Sequence, residues 1–152
     1  MVGGASAAAG TLEVAHALGR ALAEAGAVLL CGGRGGVMEA AARGAHEAGG
    51  VSLGILPGGD GEAANPWITH PIATGLGEAR NAVLVQAAEA VVGVGGAWGT
   101  LSEIALAGKM AVPVCTIGPG PNGVSGVRVC KDAEEAAAWA VEAVRASRSR
   151  RG

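Results

Sequence analysis

Residues 91–103 read VVGVGGAWGTLSE, and this stretch decides the fold. The apolar run at 90–94 shows no polar alternation, which fits a strand covered on both faces rather than one half open to water. Gly95, Gly96 and Gly99 then turn the chain, and a helical pattern opens at Thr100 and runs to Lys109. A buried strand that turns through glycines into a helix is one unit of a parallel α/β sheet. The same arrangement stands upstream, where AVLLC at 27–31 leads into CGGRGGVMEAA at 31–41.

Outward from these two units, strands are predicted at 51–56, 112–117 and 127–129, with weaker ones at 69–73 and at the N-terminus. Leu12, Ala15, Leu18 and Leu22 share one helical stripe that ends at Gly26. Further helices are predicted at 37–48, closed by Gly49, at 78–88, and from Asp132 to about residue 145. Asp132 and Glu135 have the spacing of a capping box. The expected fold is α/β: a single-domain, doubly wound, Rossmann-like parallel sheet of six to seven strands with helices on both faces. Only Met1 and Val2 precede the turn at Gly3, Gly4 and Ser6, so the first strand is truncated. The expectation is a start assigned downstream of the natural one, or else a stub of two or three residues.

The chain has 152 residues with 28 glycines and no Phe or Tyr, so aliphatic side chains must supply the bulk of the core. One domain is expected over 1–146, with a basic disordered tail at 147–152. A formal charge of -2 and the absence of a basic stripe outside that tail argue against nucleic acid as a partner. With only Lys109 and Lys131, Schiff-base chemistry has few candidates. Three cysteines, Cys31, Cys115 and Cys130, lie in apolar runs without C-x-x-C spacing and read as buried thiols of a reducing cytoplasm. No basic segment precedes an apolar one at the start, and the uncharged stretch 110–127 is interrupted by Pro113, Pro119 and Pro121, so neither a secretory signal nor a membrane span is expected. His16, His46 and His70 lack metal-ligand spacing, and no metal site is expected.

Chemistry is expected at the two glycine-rich turns. Without Cβ atoms, Gly95, Gly96 and Gly99 let backbone N–H groups crowd around a ligand, and the helix that opens at Thr100 adds its dipole, so a phosphate is the natural guest. Gly4 and Ser6 of the first turn join this phosphate set. The structural alternative is that Thr100 and Glu103 merely cap the helix as T-x-x-E. The second turn offers Gly33, Arg34, Gly35, Gly36 and Met38. Both turns lie at strand C-termini, where open α/β sheets bind ligands. Arg80, in the first turns of a helix where a cation is disfavoured, wants a negative partner, and Asn81 beside it can donate or accept. Trp98 could stack on a base or pack in the loop. No phosphate-loop motif of the G-x-x-x-x-G-K-[ST] type exists. The G-x-G-x-x-G match at 118–123, GPGPNG, contains prolines and leads into GVRV rather than a helix, so it carries no weight. The second strand ends in Cys31-Gly32-Gly33 instead of the acidic residue that grips a ribose, against ordinary NAD binding.

From Gly3 to Ile117 the chain resembles the LOG (Lonely Guy) family, historically called "lysine decarboxylase-like". Members show P-G-G-x-G-T-x-x-E; here GGAWGTLSE has one more residue between the glycines and Val94 in place of the proline. Their Arg-Lys pair is answered by Arg80-Asn81. The resemblance implies a phosphoribohydrolase that splits a nucleoside 5'-monophosphate into base and ribose 5-phosphate. It implies Gly95, Gly96, Gly99 and Thr100 on the phosphate and Arg80 and Glu103 as catalytic residues near the ribose. Glu103 would then orient or deprotonate water, and Arg80 would offset charge on phosphate or the departing base. CGGRGGVMEAA and GEARN are closer in wording to the subgroup that includes molybdenum-cofactor carrier proteins, which bind rather than cleave. That subgroup implies a non-catalytic carrier with molybdenum cofactor as cargo and no cofactor required for its own function. A third possibility is an idle oligomer whose glycine turns only bend the chain. A homodimer or homotetramer is expected, since Ala- and Gly-rich helices approach closely and LOG-like proteins associate.

Overall fold

The structure, a computed structural model, describes residues 1–96, 98–118 and 124–150. Strands and helices alternate: β1 (Val2–Gly3), α1 (Ala9–Glu24), β2 (Leu29–Cys31), α2 (Val37–Glu47), β3 (Ser52–Leu56), β4 (His70–Ala73), α3 (Arg80–Ala87), β5 (Val91–Val94), α4 (Trp98–Lys109), β6 (Val114–Ile117), β7 (Arg128–Cys130) and α5 (Ala133–Ser149). Every strand pairing is parallel.

The expected single sheet of six to seven strands is instead two sheets. One has the order β1-β5-β6-β7 and the other β2-β3-β4. The reason lies in β1, which offers only Val2 and Gly3, both used in register against Gly93 and Val94 of β5. Successive residues of a strand point their N–H and C=O to opposite edges, so a two-residue β1 offers too few groups on its other edge for a ladder with β2. Across the seam the Met1 ammonium donates to the Leu30 carbonyl at 2.7 Å.

Alternation along the strands divides the core. Val92, Val94 and Cys115 pack with α1, α2 and α5, while Val91, Val2 and Val114 face the layer built by Leu84, Val85, Ile104 and Ala107 of α3 and α4. Helices therefore cover both faces, as the uniformly apolar strands require. The tightest contact is between α1 and α2. A Cβ on Gly19 would overlap the Ala41 carbonyl, and one on Gly44 would overlap that of His16. Two small-residue stripes thus let the helix backbones touch.

Several boundaries differ from expectation. The helix predicted at 78–88 is a 3-10 turn over Gly77–Ala79 followed by α3 from Arg80. Helix α5 is capped by the Asp132 side chain, which accepts from the Glu135 N–H at 2.8 Å. It continues through Ser149, so residues 147–149 of the expected disordered tail are helical. Arg148 there pairs bidentately with Glu89 at 2.8 and 2.7 Å. Of the GPGPNG match, residues 119–123 lie outside the described residues, as do 151–152. Cys31, Cys115 and Cys130 are free and buried. Among the described residues, no helix is long and apolar enough to cross a membrane, and no cluster of His, Cys, Asp or Glu is placed to hold a metal.

Candidate functional site

Strands β1, β2 and β5 each end in a glycine turn on the same side of the molecule, and each turn leads into a helix, α1, α2 and α4 respectively. The connection reverses direction here: β2, β3 and β4 lie to one side of β1, and β5, β6 and β7 to the other. Such a reversal opens a crevice at the strand C-termini. The turns interlock. The Val37 N–H donates to the Gly4 carbonyl at 3.0 Å. A Cβ on Gly36, whose φ is +65°, would run into Ala5 and the Gly4 carbonyl. Gly96, at φ +106°, leaves no room for a Cβ beside Thr100. Neither α1 nor α2 has a side-chain cap, and the first N–H of α2, that of Val37, is taken by the Gly4 carbonyl.

The crevice is a cleft of about 240 Å³. Of the residues singled out in the sequence, Gly4, Arg34, Met38, Arg80, Asn81, Gly99, Thr100 and Glu103 line it. Gly33, Gly36, Gly95 and Gly96 shape the turns behind the wall, each at a positive φ that a side chain would strain. Gly35 packs near the Ala5 carbonyl and Glu39, and Ser6 is exposed. The T-x-x-E capping reading fails for a structural reason: α4 begins at Trp98, so Thr100 is already inside the helix and Glu103 lies beyond its first turn, turned into the cleft. Trp98 is 84% exposed.

At the floor of the cleft, Arg80 and Glu103 are each 6% exposed. Their nearest approach, Arg80 Nη1 to Glu103 Oε1, is 3.9 Å, too long for a hydrogen bond. Arg80 Nε and Nη1 and Asn81 Oδ1 have no hydrogen-bond partner among the described residues. The Glu103 carboxyl is pushed up to about 7, chiefly by burial, against the opposing pull of Arg80 and of the Met1 ammonium. At neutral pH this carboxyl is therefore only partly ionised, and the Arg80 charge is incompletely balanced. A buried guanidinium with two idle donors and a buried amide oxygen with no donor are the unsatisfied groups a ligand would complete.

Three contributors escaped the sequence reading. Gly32 lies where a Cβ would meet Arg80 Nη1 at 2.5 Å and Met38 Sδ at 2.7 Å, so it makes room for the guanidinium. Glu78 lines the cleft from the 3-10 turn ahead of α3. Asn65 clamps the second turn: its backbone N–H reaches the Gly33 carbonyl at 2.9 Å, and its Nδ2 donates to the carbonyls of Gly33 at 3.2 Å and Arg34 at 2.9 Å. An asparagine about thirty residues from the turn in sequence gives no local signal of this kind.

Parallel sheets covered on both faces, with a cleft at their switch point that holds a buried arginine, define the class: a Rossmann-like domain of the LOG-like superfamily. The chain belongs to the SLOG cluster4 family, whose description fits residues 1–147. An uncharacterized protein of Archaeoglobus fulgidus is 41% identical over 131 residues, covering 86% of this chain and 85% of its own length. Among solved structures, the molybdenum cofactor binding protein from Rippkaea orientalis is 33% identical with a TM-score of 0.86, covering 96% of this chain and 93% of that one. The Moco Carrier Protein from Chlamydomonas reinhardtii is 38% identical with a TM-score of 0.83, covering 97% and 95%. The sequence resemblance to LOG-like proteins, and to their molybdenum-cofactor carriers in particular, is thus met in both sequence and structure.

Proposed function

We propose that the chain binds and carries a phosphorylated small molecule in the cleft, with molybdenum cofactor, a phosphorylated pterin, as its cargo. The observation that carries this reading is Arg80, a buried cation whose Nε and Nη1 await acceptors. Gly4 after β1, Gly99 and Thr100 in the first turn of α4, and Arg34 line the cleft, and the N-terminal end of α4 favours a phosphate there. Asn81 Oδ1 calls for a donor, which the ring N–H groups of a pterin or purine supply. The likeness to two molybdenum-cofactor proteins supports the pterin over other phosphorylated ligands. The test is to isolate the protein from cells that make the cofactor, release bound small molecules and look for oxidised-pterin fluorescence. Stoichiometric pterin supports the cargo; its absence with another phosphorylated compound in its place supports only the wider class.

A second reading, hydrolysis of a nucleoside 5'-monophosphate, is favoured by one feature. A carboxyl that titrates near 7 can both take and give a proton at neutral pH, and Glu103 does so beside Arg80. Release of free base and ribose 5-phosphate, abolished in Glu103→Gln, would establish it. Tight binding without turnover would establish the carrier. Self-association belongs to the proposal as well: Val83 on α3 and Trp98 on α4, with Leu76 and Met110 flanking those helices, are large apolar side chains open to water.

A further inference from the structure

An anion seated on Arg80 has Glu103 for a neighbour. Arg80 Nε and Nη1 are buried donors without partners, and Glu103 Oε1 lies 3.9 Å from that same Nη1. A phosphate oxygen hydrogen-bonded to Nη1 would stand about 2.8 Å from it. Phosphate and carboxyl are then adjacent across one nitrogen. Both side chains are almost wholly buried, so little water screens the two oxyanions from each other. Few other charges face this carboxyl. Glu78 approaches from the 3-10 turn ahead of α3, and the Met1 ammonium from just ahead of β1. Cys31 of β2 is kept a neutral thiol by burial, and Arg34 lines the same cleft from the turn after β2. Strands β5 and β6, on which α4 also packs, bring no charged residue, and Cys115 of β6 lies in the other layer with Val92 and Val94.

Two anions against one guanidinium repel unless a proton joins them, and a proton between them makes a short, charge-assisted O–H···O bond. The carboxyl is suited to hold that proton, since burial pushes Glu103 up to about 7. A phosphomonoester loses its own second proton near pH ~6. Resting on the reading of the cleft as a phosphate site, we propose that the cleft takes up a phosphomonoester together with one proton, which Glu103 and the phosphate share while Arg80 pairs with the remaining charge. No covalent bond changes. Where Glu103 is ionised before binding, the proton comes from solvent; where it is already protonated, it keeps the proton and donates to a phosphate oxygen. Affinity therefore falls as pH rises above about 7, and a phosphorylated cargo leaves more readily on the alkaline side.

The test is calorimetric titration with ribose 5-phosphate and with a phosphorylated pterin, in pairs of buffers of different ionisation enthalpy, at two pH values. The natural chain is expected to take up about half a proton at pH ~7 and nearly one at pH ~8.5, with affinity about tenfold or more weaker at the higher pH. The linkage is expected with both ligands, since it belongs to the phosphate group that they share. Glu103→Gln puts an amide N–H where the acid O–H stood. It should bind without proton uptake, equally at both pH values, and at least about tenfold more tightly than the natural chain at pH ~8.5. Binding with no proton uptake by the natural chain, or an affinity of Glu103→Gln that falls with pH as the natural one does, overturns this inference and leaves the phosphate reading standing. Failure of both phosphates to bind overturns the two together.

Discussion

Arg80 is a charge held in a buried place without enough partners, and two predictions follow from its surroundings. Breaking a buried pair is normally destabilising, but here the pair is already apart at 3.9 Å. Arg80→Met keeps the aliphatic stem and removes the unsatisfied donors, so urea unfolding should show unchanged stability or a gain of about 1–3 kcal/mol. The same variant should bind a phosphorylated ligand at least about tenfold more weakly by calorimetry, a loss of about 1.4 kcal/mol. A clear loss of stability would mean that the guanidinium serves the fold instead. Glu103 gives the second prediction. Its carboxyl titrates at 4.5 in an unfolded chain and about 7 in the folded one, so the folded state holds the proton more tightly. The resulting stability is complete below pH 4.5 and lost as pH rises through 7, by about 3 kcal/mol in all. Stability of the natural chain minus that of Glu103→Gln should therefore fall across pH 4.5–7 and level off above it. A flat difference would show that burial does not perturb this carboxyl.

At the scale of elements, the glycines of the helices fall into two kinds with opposite signs. Gly19 and Gly44 sit where α1 and α2 touch backbone to backbone, so alanine at either should destabilise by about 1–3 kcal/mol despite its better helix propensity. Gly108 of α4 has open space around its Cβ position, and alanine there should stabilise by about 0.5–1 kcal/mol. Thermal unfolding of the three variants checks both signs together. Asn65 works through the turn it holds. Asn65→Ala removes the two Nδ2 bonds to Gly33 and Arg34, and should cost about 2 kcal/mol and weaken ligand binding although the side chain is not among those lining the cleft. Rescue of binding without rescue of stability in Asn65→Asp would contradict a positioning role. The helices themselves were legible, because Gly26 and Gly49 end apolar stripes and Asp132 opens one. The α1–α2 contact was not, since a glycine within a helical stripe reads the same whether it faces water or another backbone.

For the molecule as a whole, strand sites, their parallel sense and the convergence of glycine turns followed from apolar runs alternating with helical patterns. The stub of two or three residues was legible from the turn at Gly3, Gly4 and Ser6, and β1 is Val2–Gly3; that so short a strand leaves two sheets was not, because it depends on pairing with β2, which no local pattern reveals. Arg80 and Asn81 were legible as a pair in search of partners, whereas the burial of Glu103 beside them was hidden behind its capping-box spacing. Exposed Val83 and Trp98 make a whole-molecule prediction: if α3 and α4 form the contact between copies, Val83→Glu with Trp98→Lys should lower the mass measured by light scattering to that of a single chain. An unchanged mass would place self-association elsewhere or remove it. The most direct measurement is a calorimetric titration at pH 7 with a phosphorylated pterin and, separately, with its dephosphorylated counterpart. Saturable binding of the phosphorylated form, at least about tenfold tighter than the other, is the result expected from an unbalanced Arg80 at the foot of three glycine turns. Equal affinities, or no binding of either, would contradict it.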